Sequence, residues 1–276
     1  MRNPNHIAEL LSDKIQSACS NALAVAIGGS HSTAQQDDQS DLDLVVLLED
    51  GPLIDQSAEL ARVLLPLIEE PVQLVGGPSW KEGFGCRTSV LYGDGFKVEI
   101  FAVTADAVPV VDRVLRWKPL WGSRPLHALQ QSVQARLTRE RILAKARFDT
   151  AYAHMSVCRH VARGELFAAR HVLTSFVAIA LALRLYELGR PYDTVTSYKR
   201  IVRDGLEGDA GVQAIETASQ LLGGGAAALR SCLQALVDIS WRSLDALGSS
   251  SEQAARLQVQ LRAIAQVPQS WLLAVT

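Results

Sequence analysis

The sequence predicts an α+β protein, with a mixed β-sheet domain over residues 1–120 followed by an all-α helical bundle over residues 121–276. Three observations carry that prediction. At 276 residues the chain has room for two ordinary domains, each with its own core. Short apolar runs of strand length, punctuated by glycine and proline, crowd the first half, whereas the second half places its apolar residues at helical spacing almost throughout. Charge divides the same way: residues 1–127 carry 10 Lys and Arg against 17 Asp and Glu, a net −7, and residues 128–276 carry 17 against 12, a net +5.

Each element follows from local pattern. From about His6 to Ser20, Ile7, Leu10, Leu11 and Ile15 share one helical face. ALAVAIGG, from Ala22, is a compact strand ending in glycines, and LDLVVLLE, from Leu42, is a second strand after the polar loop SHSTAQQDDQS. Gly51 and Pro52 break the chain before a helix over 56–69, and VQLVGG, from Val72, is a further short strand. TSVLYGDGFKVEIFAV, from Thr88, is a hairpin whose two β-rich runs meet at Gly93-Asp94-Gly95. WKPLWGSRPL, from Trp117, breaks the pattern and marks the domain boundary. Beyond it the spacing predicts one long helix, or two joined by a bend, over 128–163, then helices over 166–188, 211–222, 226–247 and 249–267. A helical bundle is the economical arrangement for these.

Composition narrows the setting. With 48% hydrophobic and 20% charged residues the chain reads as soluble and globular, and its net charge of −2 names no partner. Cys19, Cys86, Cys158 and Cys232 lack metal spacing and sit among apolar neighbours, as buried thiols of a reducing cytoplasm do. The N-terminal stretch has no signal-peptide pattern, so a cytoplasmic location is expected. VLTSFVAIALALRLYEL, from Val172, is interrupted by Arg184 before it reaches spanning length; no membrane partner is expected.

The chemistry concentrates at the head of the second strand. Residues i and i+2 of a strand point to one face, so Asp41 and Asp43 present two carboxylates together while Leu42, Leu44, Val46 and Leu48 fill the other face. Paired carboxylates repel unless a cation lies between them, and hard oxygen ligands with room for water suit Mg²⁺. Glu99 interrupts the apolar run KVEIF and would lie opposite Val98 and Ile100. An Asp-x-Asp entering a strand can also be plain loop, and Glu99 an edge residue facing solvent. Asp37 and Asp38 are read as solvated loop residues, Asp94 as a turn residue and His31 as an exposed loop histidine.

Ile27-Gly28-Gly29-Ser30, the loop, Asp41-Leu42-Asp43-Leu44 and then Glu99 together resemble the signature of the DNA polymerase beta-type nucleotidyltransferase superfamily. A catalytic domain followed by a helical bundle is similar, within it, to the aminoglycoside and lincosamide nucleotidyltransferases. The resemblance implies that Gly28, Gly29 and Ser30 bind phosphate oxygens and that two Mg²⁺ ions are held by Asp41, Asp43 and Glu99. It implies transfer of a nucleoside monophosphate, AMP from ATP, to a hydroxyl of a small molecule such as an antibiotic.

In the second domain, RGELFAA around Glu165 is similar to the region of these enzymes where a glutamate acts as general base; a helix-capping role for Glu165 is the alternative. LYELGRPYDTVTSYKR, from Leu185, resembles the segment in which a Tyr-Lys pair approaches the nucleotide, implying Lys199 on the β- and γ-phosphates and Tyr198 packed on substrate or base. His154, His160 and His171 have no one-face metal spacing and are read as surface or packing residues. A polycationic aminoglycoside would prefer an acidic cleft, so the +5 half leaves lincosamides and other small alcohols in better standing. Arginine-rich RLTRERILAKAR lacks interleaved aromatics, and nucleic acid is not the expected partner. A protein or tRNA acceptor, and a catalytically silent nucleotide-binding module, are the rival readings; monomer and homodimer both fit.

Overall fold

The computed structural model describes residues 3–33, 41–49, 72–81, 85–92, 96–108 and 110–248. The helix expected over 56–69, the loop acids Asp37 and Asp38, the Gly93-Asp94-Gly95 turn and the helix expected over 249–267 lie outside the described residues. The chain forms two compact units that divide between Leu137 and Thr138.

The first unit is built on a mixed sheet. Helix α1 (Pro4–Ala18) starts where Asn3 accepts hydrogen bonds from the Asn5 and His6 amides, with Pro4 in the first turn, where its missing N–H costs nothing. Strands β1 (Ala22–Ile27), β2 (Leu42–Leu48), β3 (Val72–Lys81), β4 (Gly85–Tyr92), β5 (Lys97–Thr104) and β6 (Lys118–Trp121) join in the order β3-β4-β5-β2-β1-β6. The β2–β5 pairing is parallel and the others are antiparallel.

Both faces of the sheet are covered, so its central strands read as near-continuous apolar runs. Leu42, Leu44, Val46, Leu48, Val98, Ile100 and Ala102 pack with Leu11 and Ile15 of α1. Val45, Leu47, Phe101 and Val103 face the other way, onto Val114 and Trp117 and onto helix α2 (Ser123–Arg136) through Leu126, Leu129 and Val133.

That last contact moves the domain boundary. Residues 121–137, read from sequence as the start of the bundle, belong to the sheet unit, because the 126/129/133 stripe of α2 buries against the sheet. Gly122, at φ +67°, makes the turn: a Cβ there would meet the backbone oxygen of Leu23 and lie 2.7 Å from the Ala24 Cα. The segment read as a boundary also contains β6, an edge strand on β1 that tolerates Pro119.

The second unit is helical: α3 (Arg139–Ala162), α4 (Leu166–Glu187), α5 (Ser197–Arg203), α6 (Ala210–Ser219) and α7 (Ala226–Ala246). Of the two alternatives read over 128–163, the structure has two helices, α2 and α3, separated at Leu137; Thr138 caps α3 by accepting from the Arg141 amide at 3.2 Å. Helix α5 had no separate sequence signal. Among the described residues α4 is the helix long and apolar enough to cross a membrane. Here it packs against α3, α5, α6 and α7, and Leu173, Phe176, Val177, Ala180, Leu183 and Leu185 are buried in the bundle core. Cys86 and Cys232 are buried, and burial pushes the Cys232 thiol up to about 11, an inert state.

Candidate active site

Strand register assembles the carboxylates. In the parallel β2–β5 pair, Leu42 stands beside Val98, Asp43 beside Glu99 and Leu44 beside Ile100. Asp43 and Glu99 therefore share the face of Val45 and Phe101, away from α1, at the N-terminal ends of the two central strands. Asp41 lies two residues before Asp43, just outside β2. Antiparallel β4 brings Ser89 beside Glu99 and Arg87 beside Phe101 on the same face.

Glu99 is 6% exposed and anchored: Arg87 donates to its Oε1 at 3.0 Å and Ser89 Oγ at 3.4 Å. Lys97, two residues earlier on β5, reaches both Asp41 Oδ2 at 2.6 Å and Glu99 Oε1 at 3.2 Å. Burial pulls the Lys97 pKa down, but its hydrogen bonds to Asp41 and Glu99 and their charges outweigh that, so the ammonium ends above its ordinary value. Lys97 and Arg87 went unnoticed in the sequence reading. The signal for Lys97 was there in the period-2 pairing of KVE, which puts cation and acid on one face; Arg87 depends on the β4–β5 register, which no local pattern gives.

The glycine turn abuts Asp43. Antiparallel pairing of β1 with β2 ends with the Gly28 amide donating to the Asp43 carbonyl at 2.8 Å. Gly29 follows at φ +57°, and a Cβ there would fall on Asp43 Oδ2, 3.0 Å from Cγ; only glycine lets the turn come this close. At Gly28 a Cβ would meet Trp117 and Asp43 at ordinary contact distances, 3.5–3.6 Å. Ser32, which the sequence did not single out, closes the turn by donating from Oγ to the Gly29 carbonyl at 2.8 Å. Ser30 lies in the same turn. His31 is only partly exposed, and its Nε2 is buried without a hydrogen-bond partner among the described residues, unlike the exposed loop histidine expected.

Among the described residues no group of three His, Cys, Asp or Glu side chains stands converged as a metal shell. Asp41, Asp43 and Glu99 nonetheless fit a divalent cation by three marks: hard oxygen donors, a turn that only glycine can bring against Asp43, and an ammonium standing in as positive charge between two of the acids.

The remaining residues lie in the helical unit. Glu165 occupies the N-cap position of α4, yet its carboxylate makes no capping bond; it meets His160 Nδ1 at 2.6 Å. His154 is buried in the core, where desolvation lowers its pKa, a packing residue as read. Tyr198 and Lys199 are adjacent exposed residues of α5, and partial burial raises the Tyr198 pKa.

No family model matches the chain. Nor does any curated protein. Among solved structures it is similar to an aminoglycoside 6-adenyltransferase from Bacillus subtilis, over 97% of this chain and 100% of that one, at 10% identity and a TM-score of 0.32. A likeness of that degree fixes neither site nor substrate.

Proposed function

We propose that this protein is a Mg²⁺-dependent nucleotidyltransferase that transfers AMP from ATP to a hydroxyl of a small molecule, an antibiotic being the leading class, and releases pyrophosphate. One observation carries the reading: β-register sets Asp43 beside Glu99, with Asp41 two residues away and the Gly28-Gly29-Ser30 turn packed on Asp43.

Each residue has work that suits its chemistry. The turn amides and the Ser30 hydroxyl bind triphosphate oxygens. Asp41, Asp43 and Glu99 would hold two Mg²⁺ ions, which would neutralise the triphosphate and acidify the acceptor hydroxyl. The acceptor oxygen bonds to the α-phosphorus as the bond to the bridging oxygen breaks, and pyrophosphate carries off that electron pair. The resemblance makes Glu165, whose carboxylate meets His160 Nδ1, the candidate base for the hydroxyl proton. The resemblance assigns Lys199 to the β- and γ-phosphates and Tyr198 to the base or acceptor. The protein works as a soluble cytoplasmic enzyme.

The test is pyrophosphate release with Mg²⁺ and each nucleoside triphosphate against lincosamides, aminoglycosides and tRNA. Turnover with a small alcohol that is lost in Asp41→Asn/Asp43→Asn supports the proposal. Turnover with tRNA alone would replace the small-molecule acceptor. A second reading, nucleotide binding without transfer, is favoured by Lys97, which already holds two of the three carboxylates. ATP binding that depends on Asp43, with no pyrophosphate from any acceptor, would select it.

A further inference from the structure

Lys97 needs an explanation beyond an ordinary ion pair. An exposed lysine paired with one acid contributes little to stability. Here one ammonium spans two acids, Asp41 at 2.6 Å and Glu99 at 3.2 Å, on the face that also carries Asp43. Glu99 is buried and already has Arg87 at 3.0 Å, so its charge is met without the lysine. Asp41 is the contrasting partner: its side chain is 41% exposed, and among the described residues Lys97 is the cation on it. The two cations also differ in kind. Arg87 is a planar fork on mid-strand β4, whereas Lys97 is a point charge on a flexible four-carbon stem at the first residue of β5; the two side chains are equally exposed, so it is this difference in stem and head group that makes the lysine the replaceable one.

We infer that Lys97 is the resident counter-ion of the carboxylate cluster and that a divalent cation must displace it to bind. This rests on the reading of Asp41, Asp43 and Glu99 as metal ligands. Because ammonium and metal compete for the same oxygens, the site holds bare metal weakly and the acids stay neutralised between turnovers. A metal arriving with a triphosphate offers the displaced ammonium new phosphate oxygens, so the nucleotide complex enters more readily than the ion alone.

The experiment is Mn²⁺ titration, read by the loss of free-ion electron paramagnetic resonance signal, on wild type, Lys97→Met, Lys97→Gln, Lys97→Arg and Asp43→Asn, with circular dichroism melts of each. Removing a unit charge about 4 Å from the site is expected to tighten bare Mn²⁺ binding by about tenfold or more in Lys97→Met and Lys97→Gln. Lys97→Arg, which keeps the charge, returns the weak binding of wild type. The neutral variants also melt lower than wild type without metal and recover with Mn²⁺. Equal affinities in wild type and both neutral variants, lost in Asp43→Asn, overturn the inference and leave the transferase reading standing. No Mn²⁺ binding by any of the proteins, with or without ATP, overturns both.

Discussion

Two clusters of charge, one in each unit, each hold one acid more than they hold cations and differ in how those cations are placed. In the helical unit Arg184 on α4 makes a two-pronged bond to Asp209, at 2.8 and 2.7 Å, and a third contact to Glu187 at 2.8 Å. Asp209 also caps α6 by accepting from the Gly211 and Val212 amides, and Glu187 accepts from Ser243 Oγ at 2.8 Å. The geometry is forked: Asp209 ties the start of α6 to α4, and Glu187, on the same helix as Arg184, ties α4 to α7 through Ser243. On the sheet, three carboxylates face a lysine and an arginine, the lysine sits on a flexible stem, and a glycine turn leaves space only by lacking a side chain. A cluster that staples helices fixes its partners. The sheet cluster instead shares a single lysine between two acids, the arrangement expected of a replaceable counter-ion.

The largest expected effect tests the functional side. Asp41→Asn/Asp43→Asn should lower pyrophosphate release by about 1,000-fold or more, several kcal/mol of lost charge stabilisation, with an unchanged circular dichroism spectrum. Retained turnover would make the two clusters equivalent. Next comes the staple: Arg184→Met strands two carboxylates and should cost about 2–3 kcal/mol in urea unfolding of the helical unit, with nucleotide binding unaffected. Gly29→Ala meets both the positive φ and the Asp43 carboxylate, and is expected to cost about 1–3 kcal/mol and to abolish nucleotide binding. Gly28→Ala, with ordinary contacts, should cost a fraction of that.

A subtler effect is pH dependence. The Arg184 hydrogen bond, followed by the backbone amides, holds the Asp209 carboxyl at about 2 in the folded protein, against an ordinary 3.8. A depressed acid contributes its stabilisation fully above the ordinary value and loses it as pH falls through about 2. Unfolding free energy in Asp209→Asn should therefore lose about 1–2 kcal/mol relative to wild type at pH 7, with the gap closing between pH 4 and pH 2. The smallest effect concerns Glu165. Its side chain caps nothing, so Glu165→Gln should change stability by less than about 0.5 kcal/mol. A loss of about 100-fold or more in turnover in that variant would give it the general-base role.

Much of this was legible in the chain. Alternation along Asp41-Leu42-Asp43-Leu44 put the two aspartates on one face and that of KVEIF put Glu99 opposite Val98 and Ile100, and α1, β1, β2 and the antiparallel β4–β5 pair follow from apolar runs and periodicity. Gly28 and Gly29 read alike from sequence; the fold separates them, because only Gly29 points at Asp43. Helix α2 carried the right period but the wrong allegiance: a 126/129/133 stripe is apolar whether it meets a bundle or a sheet. Glu165 sat where caps sit, and its carboxylate went to His160 instead.

By itself the sequence determined what periodicity and residue chemistry can encode: two units of different class, the strand that carries paired aspartates, and a glycine turn before it. What only the tertiary structure decided depends on residues far apart in the chain, since strand register and side-chain reach are set by packing between elements. That includes the pairing of Asp43 with Glu99, the choice of Lys97 and Arg87 as their counter-ions, and the side of the boundary on which α2 falls.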